Sequence, residues 1–330
     1  MADIAASPVD DICCGEHART LIASRVARLV ELQADVLADR DPEPLHQMRV
    51  CFRRLRSTLE QFSSALVLPD AAAPERIARI GRRLGLPRDL DVLRQRLEAD
   101  LLPLVPEREI RQLKPLFKQL RRERRLAFEE LCEALQGRRY LKLLAQLQAW
   151  LKTPQFTAMG EEPLVNWRPE LTQSVLVGLT SLPGWWVTSP HGADAVADLH
   201  RLRRRIKRAR YGLSNLERLD PGAFAVWISR LRRLQECLGD LNDLQLIEAA
   251  LHHQLDAPAD QAVPGLCSLL MEQRGAAWQR WCEQAEVLRH PQGRSELQAL
   301  QLSSLQSAPS GAASQPPKPE PDLHQPLTSP

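Results

Sequence analysis

Two rows of basic side chains, each led by a histidine, are the residues of this sequence best placed to do chemistry. Residues 199–216 read LHRLRRRIKRARYGLSNL; at ~100° per residue on a helix, His200, Arg203, Lys207 and Arg210 share a stripe about 80° wide, with Arg204 beside it. Leu199, Leu202, Ile206, Leu213 and Leu216 form the adjacent apolar stripe. Residues 45–62, LHQMRVCFRRLRSTLEQF, repeat the design, with His46, Arg49, Arg53 and Arg56 on one stripe and Leu45, Met48, Phe52, Leu59 and Phe62 next to it. A guanidinium holds phosphate oxygens through two fixed donors and keeps its charge near neutrality, and a lysine adds a point charge. At ~1.5 Å rise per residue such a row repeats every ~4.5 to 6 Å, a spacing that tracks a linear chain of phosphates. A neutral histidine in the row donates one hydrogen bond, and a bound polyanion favours its charged form.

The same residues argue against other chemistry. Arginines around each leading histidine oppose a bound cation, and His252 and His253 diverge by ~100° on a helix, so no metal site and no cofactor is expected. No Gly-rich phosphate loop and no GxGxxG segment occurs. The acidic 107–111 segment, EREIR, reads as a solvated helix start. No local signature marks a Ser or Cys nucleophile. Single-stranded nucleic acid is recognised by interleaved aromatics; these rows carry only Tyr211, which disfavours a nucleic-acid partner.

The rows are positioned by a repeat. The histidines lie 200 − 46 = 154 residues apart. Leu84-Gly85 returns at that offset as Leu238-Gly239, Asp89-Leu90 as Asp243-Leu244, and Arg76 and Arg79 as Arg230 and Arg233. A tandem duplication follows, broken where Arg88 becomes Asn242 and Asp91 becomes Gln245. The balance of Leu, Ala, Arg, Gln and Glu with 5% aromatics favours an all-α fold. The expected divisions are a leader over 1–15, a first helical unit over 16–152, a linker over 153–169, a second unit over 170–302 and a disordered Pro-rich tail over 303–330.

Within the units, helices are expected over 16–39, 42–65, 74–84, 106–136, 138–151, 170–182, 224–238 and 263–289. Gly85-Leu86-Pro87 stops the third and Gly239 its counterpart; Asp89 and Asp243 then cap new helices. The 106–136 helix carries Arg121 and Arg125, which either join the basic stripe or form a solvated charged face. The indoles of Trp167, Trp185 and Trp186 are expected to pack their loops.

Net charge is only +3, so the concentration of cations decides: residues 199–216 hold seven Lys or Arg and no Asp or Glu, a self-repulsion that a polyanion relieves. Seven cysteines without CxxC spacing read as reduced thiols. With no export pattern and no ~20-residue apolar run, a cytoplasmic protein with no membrane partner is expected. The apolar faces of the long helices are compatible with a homodimer, with no residue-level argument for one.

The paired LHQMRVCFRRLRS and LHRLRRRIKRARY motifs, each followed by an LGxxxDL segment, resemble the CHAD domain, the conserved histidine α-helical domain, over residues 16–289. The resemblance implies two pseudo-symmetric helical bundles enclosing a basic central channel that binds inorganic polyphosphate and can target a protein to polyphosphate granules. It places the histidines on His46 and His200 and the basic rows on Arg49, Arg53, Arg56, Arg203, Lys207 and Arg210. Arg79, Arg82, Arg83, Arg121, Arg125, Arg230 and Arg233 become a secondary wall. The triphosphate-tunnel domain of some relatives has no counterpart here, so binding without catalysis is expected. The alternative is phosphoryl transfer or phosphohydrolysis, with His46 or His200 as acid or nucleophile.

Overall fold

The computed structural model describes residues 12–255 and 257–301. The expected leader lies largely outside the described residues and the Pro-rich tail entirely so. The fold is all-α: α1 (Cys14–Ala38), α2 (Pro42–Gln61), α3 (Pro74–Gln95), α4 (Glu107–Gln112), α5 (Lys114–Gln136) and α6 (Arg138–Lys152) form the first half. After α7 (Ala158–Glu161) come α8 (Arg168–Leu176), α9 (Ala193–Leu216), α10 (Pro221–Gln254), α11 (Ala259–Ala262), α12 (Pro264–Arg289) and α13 (Pro291–Ala299). Among the described residues there is no β-strand, only isolated bridges pairing Cys13 with Pro163 and Leu66 with Phe156.

The helix carrying the first row, and the helix on which the second row packs, begin with local chemistry. Asp39 closes α1 in the left-handed region at φ 48°, and Asp41 then accepts a hydrogen bond from the Glu43 amide, with Pro42 opening α2. Asp220 does the same for α10 through the Ala223 amide, at 3.0 Å. Leu45, Met48, Phe52, Leu55 and Leu59 bury one face of α2; Leu199, Leu202, Ile206, Leu213 and Leu216 bury that of α9. With their apolar faces committed to one shared core, α2 packs on α1 and α3, α9 packs on α10, and α2 meets α9.

Several expected breaks are absent. α3 runs through Gly85-Leu86-Pro87 to Gln95, and α10 passes Gly239 to reach Gln254. Asp89 and Asp243 are therefore mid-helix residues and cap nothing. A proline inside a helix forfeits one backbone bond and crowds the preceding turn, about 3 kcal/mol; here Pro87 is itself buried, and packing outweighs local preference. Conversely, the expected 106–136 helix divides at Leu113, where Pro115 in the first turn of α5 supplies no amide. α8 stops at Leu176, short of residue 182, ahead of Gly178 at φ 70°.

The segment expected as a linker is tied down. The Thr157 amide donates to the Ala65 carbonyl (3.1 Å), Cys14 to Glu162 (2.8 Å) and Leu164 to Ile12 (2.9 Å). Trp185 stacks on Trp281 at 5.6 Å between ring centroids and donates its indole N–H to the Leu179 carbonyl, as an indole-packed loop requires. Trp186 stays 56% exposed and lies under the Arg294 guanidinium. Trp167 donates to Glu162 at 3.1 Å.

Contacts between the halves are polar as well as apolar. Glu109, read from sequence as a solvated residue, is buried and accepts from the Gly265 and Leu266 amides at 3.1 and 3.0 Å. Its carboxylate occupies the N-terminal end of α12, where free amides and the helix dipole favour a negative charge. Asn215 of α9 accepts from Arg25 of α1 at 2.8 Å and donates to Gln61 of α2 at 2.8 Å, while His17 of α1 meets its carbonyl at 2.6 Å.

Candidate functional site

The crossing of α2 and α9 brings four members of the expected rows together: Arg49 and Arg53 from α2, Arg203 and Lys207 from α9. Burial alone depresses the Lys207 pKa, and the nearby charges of Arg203, Arg53 and Arg49 add to it against an opposing pull from Asp89, leaving the amine at about 7. Arg53 is desolvated too, which lowers its pKa, with Tyr211 the largest opposing influence. The Nε atoms of Arg53, Arg203 and Arg88 are buried without a hydrogen-bond partner. Buried donors are normally satisfied. Two of these open donors, on Arg53 and Arg203, flank Lys207, and the third, on Arg88, belongs to a residue that acts on His46.

Two basic cavities open at this crossing, and Tyr211 lines both. Arg53 stands over its ring at 5.7 Å and Arg210 at 4.5 Å, cation–π contacts that fix the tyrosine between them. One cavity, of about 550 Å³, takes Arg53, Arg56, Arg204 and Lys207 together with Arg201, Arg205 and Arg208. The other, of about 860 Å³, takes His46 and Arg210 with Arg25, Arg28, Arg54 and Arg232.

The walls of the two cavities are exchanged by the repeat. Arg201, Arg204, Arg205 and Arg208 in the smaller one stand 154 positions after Gln47, Val50, Cys51 and Arg54 in the larger. Arg56, Ser57 and Glu60 of the smaller correspond likewise to Arg210, Tyr211 and Ser214 of the larger. That correspondence is what a local two-fold axis between α2 and α9 produces. It also shows where the repeat has diverged, for three of those four α9 arginines face Gln, Val and Cys counterparts.

The flanking carboxylates differ between halves. Asp89 pairs with Arg49, Nη2 to Oδ1 at 3.0 Å, and the guanidinium of Arg49 lies over Gly85, where any Cβ would overlap it. Asp243 is pushed up by burial, against hydrogen bonding from Asn242 and the charges of Arg203 and Arg96. Arg96, in the π-helical turn after α3, lies 3.6 Å from Asp240 and 3.7 Å from Asp243. His46 is shifted down by burial and then by Arg88, with Glu43 opposing and Arg53 and Arg49 adding to the fall. His200 sits in a third cavity, of about 290 Å³, with Arg203 and Asn242; its Nδ1 is 3.3 Å from the Asn242 amide oxygen. A neutral asparagine thus faces His200 where the cationic Arg88 acts on His46.

The secondary-wall residues are scattered. Arg79, Arg82 and Arg233 lie on α3 and α10 away from these cavities. Arg83 pairs with Glu130, Arg125 stands 3.8 Å from Glu129, and Arg230 is held by Glu296 at 3.0 Å and packs on Trp227. Arg121 and Arg125 line a different cavity, of about 230 Å³, formed with Asp39, Asp91 and Arg124. Arg124 there is bound by both acids, at 2.5 Å from Asp39 Oδ1 and 3.1 Å from Asp91 Oδ1.

Sequence reasoning missed Arg96, Arg54, Arg25 and Arg232. Arg96 was within reach: carried through Pro87, a continuous helix places it ~20° from Asp89, on the same face. Arg25 and Arg232 come from α1 and α10, whose docking no helical wheel of α2 or α9 reveals.

The architecture is similar to solved structures. The crystal structure of the CHAD domain from the plant Ricinus communis aligns with a TM-score of 0.59 at 24% identity, covering 91% of this chain and 96% of that one. PptA from Streptomyces chartreusis aligns with a TM-score of 0.62 at 17% identity, covering 82% of this chain and 99% of that one. At these identities the likeness is one of fold. No curated protein sequence matches the chain. The CHAD domain family model matches residues 20–252, the stretch from α1 to α10 that contains both histidine-led rows and the crossing between them, and the chain belongs to the CHAD domain family.

Proposed function

We propose that this protein binds inorganic polyphosphate at the α2–α9 crossing and does so without cleaving it. The observation that carries the reading is the pair of unsatisfied, buried guanidinium donors on Arg53 and Arg203 beside Lys207, with a third on Arg88 near His46. A chain of phosphates offers closely spaced acceptor oxygens and one negative charge per unit or more, which answers both the open donors and the mutual repulsion. The cavities on either side of Tyr211 let a thin, flexible anion extend beyond the crossing, while a duplex is far too wide to enter them. His46 and His200 orient the ligand as hydrogen-bond donors. Granules of polyphosphate are the cellular setting this reading suggests.

Calorimetric titration with a defined medium-length polyphosphate, beside a single-stranded oligonucleotide of similar charge, tests the proposal. Strong polyphosphate binding that is lost in Arg53→Glu/Arg203→Glu supports it. Equal affinity for both polymers reduces the site to a general polyanion binder. Steady phosphate release that persists through purification and vanishes in His46→Ala overturns the non-catalytic part.

A further inference from the structure

Lysine is rare in this chain, with Lys114, Lys118, Lys142, Lys152, Lys207 and Lys318 as the full set beside 38 arginines, from 44 Lys and Arg less those six. Lys207 alone among the described ones is removed from full exposure. Its counterpart in the repeat is Arg53, since 207 − 154 = 53. A primary amine thus stands at one position of a row otherwise built of guanidiniums, facing a cavity that attracts phosphate.

We propose that Lys207 is a site of acylation by acyl phosphates, the phosphoryl end of the reagent docking among Arg53, Arg56 and Arg204 while its acyl carbon meets the amine. The Nζ lone pair forms the N–C bond, the C–O bond to the phosphoryl group breaks, and inorganic phosphate leaves with that electron pair and takes up the proton released by nitrogen. Both requirements of the step are present in one cavity. The first is docking: Arg53, Arg56 and Arg204 line the same space as Lys207, and guanidiniums bind phosphoryl oxygens in preference to uncharged groups. The second is a free lone pair, which a desolvated lysine among like charges supplies near neutral pH. The charged groups facing it are Arg49, Arg53, Arg56 and Glu60 from α2, Asp89 from α3, and Arg201, Arg203, Arg204, Arg205 and Arg208 from its own helix. Acylation turns the amine into a neutral amide and removes one cation from the row, so it lowers affinity for phosphate chains. The inference uses the cavity's attraction for a single phosphoryl group and stands apart from the binding of a long chain.

The full-length protein is incubated with acetyl phosphate, and separately with the N-hydroxysuccinimide ester of acetic acid, an uncharged acetyl donor, between pH 6 and 9. Acetylation at each lysine is quantified by mass spectrometry. Lys207 is expected to react about tenfold faster than Lys114 or Lys118 with acetyl phosphate, its rate levelling above pH about 7, and to show a smaller preference with the ester. The exposed Arg204→Gln, which disturbs no packing, is expected to lower the acetyl phosphate preference and leave the ester preference unchanged. Equal labelling of Lys207 and Lys114, or the same preference with both donors, overturns the inference. Lost labelling with intact polyphosphate binding overturns acylation alone; labelling without polyphosphate binding overturns only the proposed function.

Discussion

Arg49 reaches Asp89 across the bare surface of Gly85, with its Nη2 3.0 Å from the carboxylate Oδ1. The glycine that looks like a helix terminator is instead the gap through which a site arginine crosses α3. At its repeat counterpart, Gly239, a Cβ would meet no atom within 4 Å. Gly239→Ala should therefore stabilise the fold by about 0.5 to 1 kcal/mol, the ordinary gain for alanine in a helix interior. Gly85→Ala should forgo that gain, displace Arg49 and weaken polyphosphate binding. Urea titration and calorimetry on the pair measure both effects.

Protons should accompany the ligand. Lys207 titrates at about 7 in the folded protein against 10.5 ordinarily, and a polyanion raises it again. At pH 8 binding should take up close to one proton through this amine, at pH 5.5 almost none through it, and affinity should fall as pH climbs above 7. Calorimetry in two buffers of different ionisation enthalpy reads the uptake, and Lys207→Met should abolish it. Without ligand, the unfolded chain holds this proton up to higher pH than the folded one. Lys207 therefore costs stability in full below pH 7, and that cost is relieved progressively as pH rises from 7 to 10.5.

Asp91 is 6% exposed and shares Arg124 with Asp39. Asp91→Ala should cost about 2 to 3 kcal/mol, less than the ~3–5 kcal/mol of a wholly uncompensated buried charge because Asp39 remains. Chemical denaturation should show a shifted midpoint with an unchanged m value. Polyphosphate affinity should move little, since this pair belongs to the α3–α5 contact.

Salt dependence distinguishes site cations from scaffold cations. Arg203→Gln should lower the magnitude of the slope of log K against log salt by about 0.7, the value for one phosphate contact on a single-stranded polyanion. Arg79→Gln and Arg230→Gln should leave the slope unchanged, with Arg230→Gln losing its contacts to Glu296 on α13 and to the Trp227 ring.

The row geometry was legible from residue spacing because a helix converts sequence intervals directly into angles, and the 154-residue offset exposed the pairing of His46 with His200 and of Arg53 with Lys207. What spacing could not convey was tertiary override. Pro87 and Gly85 carry breaking preferences that burial and the passage of Arg49 outweigh. Glu109 looks solvated until α12, some 156 positions further on, brings its amides to it. Arg121 looks like a member of the stripe, yet α5 docks on α3 and turns it towards Asp39 and Asp91. In each case the deciding neighbour is far away in sequence.

Each basic cavity takes one wall from each half of the chain, α2 lining both and α9 lining both. Cut at the repeat boundary, either half would carry half of two receptacles and the whole of neither. If the 154-residue repeat records a duplication, a single unit of the same design would complete both receptacles only as a symmetric homodimer. Within one chain the two copies need not be identical. One half carries Arg88 and an all-arginine row while the other carries Asn242 and Lys207, giving the crossing a front and a back that a true dimer never possesses.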